Sequence, residues 1–179
     1  MSKFAIDLSP LKKYPDFRNL WTAGLISYLG SMITYVALPF HLKEITGSYL
    51  AHGILGVIEI VPLIIFGLYG GVLADALDRK KLIWVTEALS LLFTGILLIN
   101  AMMDSPNLLL IYIVSGLFAA TSGLRQPAMQ AALPRLVDHE DMTAAAALMS
   151  LRWQVGVIVG PAIGGILIST YSVAVGYAA

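Results

Sequence analysis

From Leu20 onward the chain is divided into five long apolar segments, and nearly all of its charged residues fall in the short breaks between them. That pattern fixes the solvent. A helix needs about 20 predominantly apolar residues to cross a hydrocarbon core of roughly 30 Å. Inside that core every backbone N–H and C=O must find its partner within the protein, which helices manage alone and open strands do not. Only 12% of the residues are charged and 58% are apolar, whereas soluble domains carry about 25% charged residues. The expected fold class is an all-α integral membrane protein.

The predicted spans run from about Leu20 to Phe40, Leu50 to Ala74, Leu82 to Met102, Leu108 to Leu124 and Ala144 to Ile168, with a partial sixth from Tyr171. Residues 1–19 form a charged lead-in, and residues 20–179 a transmembrane bundle. The breaks hold Thr46-Gly47-Ser48, Asp78-Arg79-Lys80-Lys81, Asp104-Ser105-Pro106-Asn107 and Asp138-His139-Glu140-Asp141. Such short connections predict that successive helices are antiparallel neighbours. With the N-terminus in the cytoplasm, that side collects Lys3, Lys12, Lys13, Arg18, Arg79, Lys80, Lys81 and Arg135, and the other only Lys43. The positive-inside rule favours this orientation, in a cell membrane. Met1 to Arg18, with Pro10 and Pro15, does not read as a cleavable signal.

Other classes of function find little support. There is no cysteine, and His41, His52 and His139 lie far apart without metal-ligand spacing. No nucleophile–base pair or phosphate-binding loop is evident, so neither an enzyme nor a cofactor or metal is expected.

Ionisable residues inside a membrane are costly and face the bundle interior or water. Glu59 is the deepest acid, with Pro62 just beyond it. A carboxyl placed there can load and release a proton or contact a cationic substrate; a neutral acid bonded to a neighbouring helix is the plain alternative. Glu87, Arg125 and Arg152 occupy similar depths on three spans and are expected to form a structural ion-pair cluster. Arg152 would lie about 12 Å inside its helix at 1.5 Å per residue. Tyr28, Thr34 and Tyr35 could line a cavity or bond helix to helix.

Two glycine patterns carry more information. Gly70 and Gly71 precede Asp75 and Arg79 at the end of the second span, where small residues let another helix approach closely. Positive-inside charge explains Arg79, Lys80 and Lys81, but neither Asp75 nor the glycine pair. In the fifth span Gly156, Gly160 and Gly164 recur every fourth residue and form a stripe along one helix face, with Pro161 and Gly165 adding an expected kink.

The stretch Gly71-Val72-Leu73-Ala74-Asp75-Ala76-Leu77-Asp78-Arg79-Lys80-Lys81 resembles the loop signature of the major facilitator superfamily. It departs from that signature at Ala76, where a basic residue is usual, and at Asp78, where glycine is usual. Asp-Arg at this place resembles the branch of enterobactin and macrolide exporters. Gly156-x-x-x-Gly160-Pro161-x-x-Gly164-Gly165 is similar to the fifth-helix signature of the superfamily's antiporters. Gly30 to Pro39 resembles its first-helix pattern. Gln126 to Pro134 resembles the segment closing its fourth helix, with Met129 where the exporter branch commonly has arginine.

The resemblance implies the N-terminal half of a major facilitator fold, with Gly71, Asp75 and Arg79 in a gating loop and transport driven by inward proton flow. It further implies secondary active export of a small organic molecule such as a siderophore or drug. The partners would be the bilayer, the substrate, the proton and a second six-helix half, and not nucleic acid. The competing expectation is a non-transporting membrane subunit or an inactive truncated scaffold.

Overall fold

The computed structural model describes residues 7–179, and the side chains of all of these except residues 73–76. The described residues form helices and connecting turns, with no strand among them. A short α1 (Ser9–Lys13) leads into α2 (Pro15–Thr46), followed by α3 (Tyr49–Ala76), α4 (Arg79–Ala101) and α5 (Leu108–Leu136). A 3-10 turn (His139–Asp141) then opens α6 (Met142–Thr170), and the described chain closes with α7 (Val173–Ala178). Five of these helices are long and apolar enough to cross a bilayer. The protein is thus an all-α membrane bundle.

The helix ends are set by local chemistry. Gly47 ends α2 in the left-handed region at φ 63°, its N–H donating to the Lys43 carbonyl at 2.9 Å. The Asp78 side chain caps α4 by accepting from the Lys80 and Lys81 amides at 2.9 and 3.4 Å. Asn107 caps α5 through the Leu110 amide at 3.1 Å, and the Asn107 amide itself donates to Asn100 at 2.9 Å, closing the α4–α5 turn.

One helix runs on beyond the end that the sequence suggested. α5 continues through Pro127 and Pro134 to Leu136, well past Leu124, and α6 is unbroken through Pro161. A proline in a helix removes one backbone donor, a loss that packing neighbours can offset inside a membrane protein.

Neighbour relations also differ from the simple chain of adjacent antiparallel helices. Among the described residues, α3 packs along α5 and α2 along α6, while α4 packs on α5 and meets α7. Of the long helices consecutive in sequence, only α4 and α5 pack over much of their length. A short turn fixes one end of a helix pair; the faces decide the rest. Where the faces carry glycine, backbones approach closely and the helices stay together. At the α3–α5 seam a Cβ on Gly123 would lie 2.8 Å from the Leu63 carbonyl and 2.9 Å from the Gly67 amide nitrogen.

One apolar cluster sits near the ends where α2 gives way to α3, around Leu38, Leu42, Leu97, Ile111 and Val173. A second gathers Phe17, Val137, Ala145 and Leu148 at the opposite end. There the Trp21 indole donates to the Leu148 carbonyl at 2.8 Å and ties the start of α2 to α6. Of the five long helices α5 is the most enclosed and α3 the least. Val57, Ile60, Ile64 and Leu68 leave α3 with a broad exposed apolar surface.

Candidate functional site

Three helices meet at a closed polar network within the apolar bundle. Arg125 of α5 donates through Nη1 to Glu87 Oε1 of α4 at 2.9 Å and to Ser27 Oγ of α2 at 3.0 Å. The Ser27 hydroxyl in turn donates to Glu87 Oε2. Arg125 is 8% exposed, so its charge is held almost wholly by this carboxylate and hydroxyl. Paired buried charges contribute little net stability, yet each becomes costly when its partner is removed. The network therefore fixes how α2, α4 and α5 sit together.

Arg152 stands apart from it. The expected cluster of Glu87, Arg125 and Arg152 resolves into one ion pair and a second guanidinium with no carboxylate. Both Glu87 oxygens are engaged by Arg125 and Ser27, and no hydrogen bond joins Glu87 to Arg152 among the described residues. The Arg152 guanidinium lies over Gly24 of α2, where any Cβ would collide with Nη1. Its Nη2 is 3.8 Å from the Met129 sulfur, and its Nε and Nη1 are buried with no hydrogen-bond partner among the described residues.

A cavity of about 680 Å³ opens between α2, α4 and α5. Gly24, Ser27, Glu87 and Met129 form its inner wall, while Asp16 and Lys80, near the starts of α2 and α4, lie toward one face of the bundle. Neither Ser27 nor Gly24 was singled out from the sequence. The signal available was their spacing with Ser31 and Tyr28, one turn apart along a helix that also carries Trp21.

The other anticipated residues are dispersed. Glu59 lies part-buried on α3 and shares neither hydrogen bond nor ion pair with the network among the described residues. The Asp75 side chain lies outside the described residues, and Arg79 opens α4. Of the two adjacent glycines expected to admit a neighbouring helix, Gly70 does so: a Cβ there would lie 3.1 Å from the Gly123 carbonyl. Gly71 faces open space, with nothing within 4 Å. Adjacent helical residues point about 100° apart, so both could not face α5.

The three fifth-span glycines spaced four residues apart face α2. Gly156 lies under the Tyr28 ring and Gly160 against Met32, a Cβ on Gly164 would lie 3.3 Å from the Ile33 Cα, and Gly165 faces open space. Thr34 is buried in the bundle and Tyr35 is exposed. No group of three metal-ligating side chains occurs among the described residues.

Outside the spans, the lead-in is held by charge. Lys13 Nζ pairs with Asp141 Oδ2 at 2.8 Å, and the Tyr14 hydroxyl bridges Asp138 and Asp141 at 2.9 and 2.8 Å. The hydrogen bond to Asp141 raises the Lys13 pKa above its ordinary 10.5.

Five long apolar helices with charges bonded across them define a multi-pass α-helical membrane bundle. A family model described as transmembrane secretion effector (MFS_3) matches residues 5–179, and the chain belongs to this family of the major facilitator superfamily. It is 35% identical over 176 residues to the enterobactin exporter EntS of Shigella boydii serotype 18, covering 96% of this chain and 41% of that protein. The EntS proteins of Escherichia coli O1:K1 and Citrobacter koseri are 34% identical over the same coverage. The chain thus spans about 41% of the length of these relatives. No solved structure shows a significant match.

Proposed function

We propose that this chain forms the N-terminal half of a proton-coupled exporter of small organic molecules in the cell membrane, its N-terminus in the cytoplasm. The observation that carries the reading is the Ser27–Glu87–Arg125 network beside an open cavity within membrane-spanning helices. Ionisable groups within a membrane are costly and mark solute or ion pathways when they border an open cavity. The relatives named as enterobactin exporters point to siderophores, or drug-like molecules of similar size, as cargo.

In this reading a second six-helix bundle covers the exposed face of α3, and the two bundles rock about the cargo. Glu59, on that least enclosed helix, exchanges the proton as access alternates. Gly71, Asp75 and Arg79 belong to the gate between the bundles at the cytoplasmic face. Reconstitution of the protein with its second bundle in liposomes under an imposed pH gradient tests this. Gradient-dependent movement of a siderophore or macrolide is expected, and movement indifferent to the gradient would overturn the coupling. Reporter fusions placing Lys80 outside the cell would overturn the orientation.

A further inference from the structure

The two arginines inside the bundle are unequally provided for. Arg125 has a carboxylate and a hydroxyl; Arg152 has a thioether and, for Nε and Nη1, nothing among the described residues. A guanidinium in a dry setting without a counter-charge is costly, and the cost falls when an anion arrives. The two groups that touch the Arg152 guanidinium, Gly24 and Met129, are also walls of the 680 Å³ cavity. Only an unbranched side chain with three rotatable bonds and a residue without a side chain separate that cation from the open space.

The charges around the cavity sharpen the case. Asp16 and Lys80 are opposite in sign and lie together toward one face. Glu87 is consumed by Arg125 and Ser27. Just behind this lining, next to Gly24 and Met129, lies the Arg152 guanidinium, which has no hydrogen bond to a carboxylate among the described residues.

We propose that Arg152 anchors the anionic group of a small organic ligand in this cavity. The Met129 side chain swings aside to admit a carboxylate, phenolate, sulfonate or phosphate. The planar guanidinium then donates to two ligand oxygens at once, the geometry that distinguishes arginine from lysine. The carboxylate of the inner wall, Glu87, is already bonded to Arg125 and Ser27. That this ligand is exported cargo rests on the function proposed above; the site itself does not.

The test uses the purified protein in phosphatidylcholine nanodiscs, with radiolabelled salicylate and its neutral counterpart salicylamide as probes and empty nanodiscs as background. Salicylate is expected to bind about tenfold or more tightly than salicylamide, the worth of one charge-assisted contact. Arg152→Gln should abolish the preference and Arg152→Lys restore part of it. Gly24→Ala, which pushes the guanidinium aside without removing charge, should weaken salicylate alone, and it keeps the test decisive if Arg152→Gln fails to fold. Equal binding of the two probes by the wild type, or salicylate binding untouched by Gly24→Ala and Arg152→Gln, would overturn the site. Loss of salicylate binding on adding phosphatidylglycerol would overturn it in favour of a lipid headgroup. Gradient-driven transport is measured separately. Charge-selective binding without transport removes the export reading and leaves the site, whereas transport without charge selectivity does the reverse.

Discussion

The ring of Tyr28 on α2 rests directly on Gly156 of α6, so that even a methyl group at position 156 would occupy the space of the ring edge. Gly160 and Gly164 continue this seam against Met32 and Ile33. Without a hydrophobic drive between helices in lipid, close backbone packing of this kind holds them together.

Gly156→Ala should therefore destabilise the bundle by about 1–3 kcal/mol, the usual cost of overpacking. Gly165→Ala, which meets nothing within 4 Å, should be neutral or slightly stabilising. Thermal unfolding of the two variants in the same detergent reads the difference, and equal effects would refute the seam.

Removing the carboxylate from the polar network leaves the buried Arg125 guanidinium without its ionic partner. Glu87→Ala should cost about 3–5 kcal/mol, as expected when a buried pair loses one partner. Ser27→Ala deletes only a neutral bridge and should cost about 1 kcal/mol. Replacing Glu87 and Arg125 together by methionine should recover most of the loss, and a double-mutant cycle on unfolding free energies measures the coupling.

If Glu59 carries the proton, Glu59→Gln should leave the protein folded and still able to bind ligand while its transport no longer responds to an imposed pH gradient. Gradient-driven transport equal to wild type would remove Glu59 from the coupling.

The Lys13–Asp141 clamp should respond to alkali. A cation whose folded-state pKa is raised contributes stability fully below its ordinary value of 10.5, lost as pH climbs through the raised value. Docking of α1 beside the start of α6 is thus expected to hold at neutral pH and to loosen only in strong base. Asp141→Asn should loosen it at every pH, as read by proteolysis near residue 13.

Much of this arrangement was legible from residue order alone. Apolar run length marked the five long helices, and the i+4 glycines of α6 marked a packing face. The partner of that face was not legible, because adjacency in the chain says little once turns only pin helix ends. The apolar run of the fourth span ends near Leu124, yet α5 continues through Pro127 and Pro134 to Leu136. The ion cluster was half legible: depth brought Glu87, Arg125 and Arg152 to one level, but rotation about each helix decided that Ser27, and not Arg152, completes the pair. Gly70 and Gly71 show the same limit, since one step along a helix separates a seam from open space.

The pairing of α2 with α6 has a consequence for biosynthesis. The chain is made from its N-terminus, so the surface bearing Gly24, Tyr28 and Met32 enters the bilayer ahead of its partner helix, with three spans between them. Until α6 arrives, lipid must stand in against that surface. The bundle cannot be completed helix by helix in order of synthesis: its first span is locked only when the fifth slides into place.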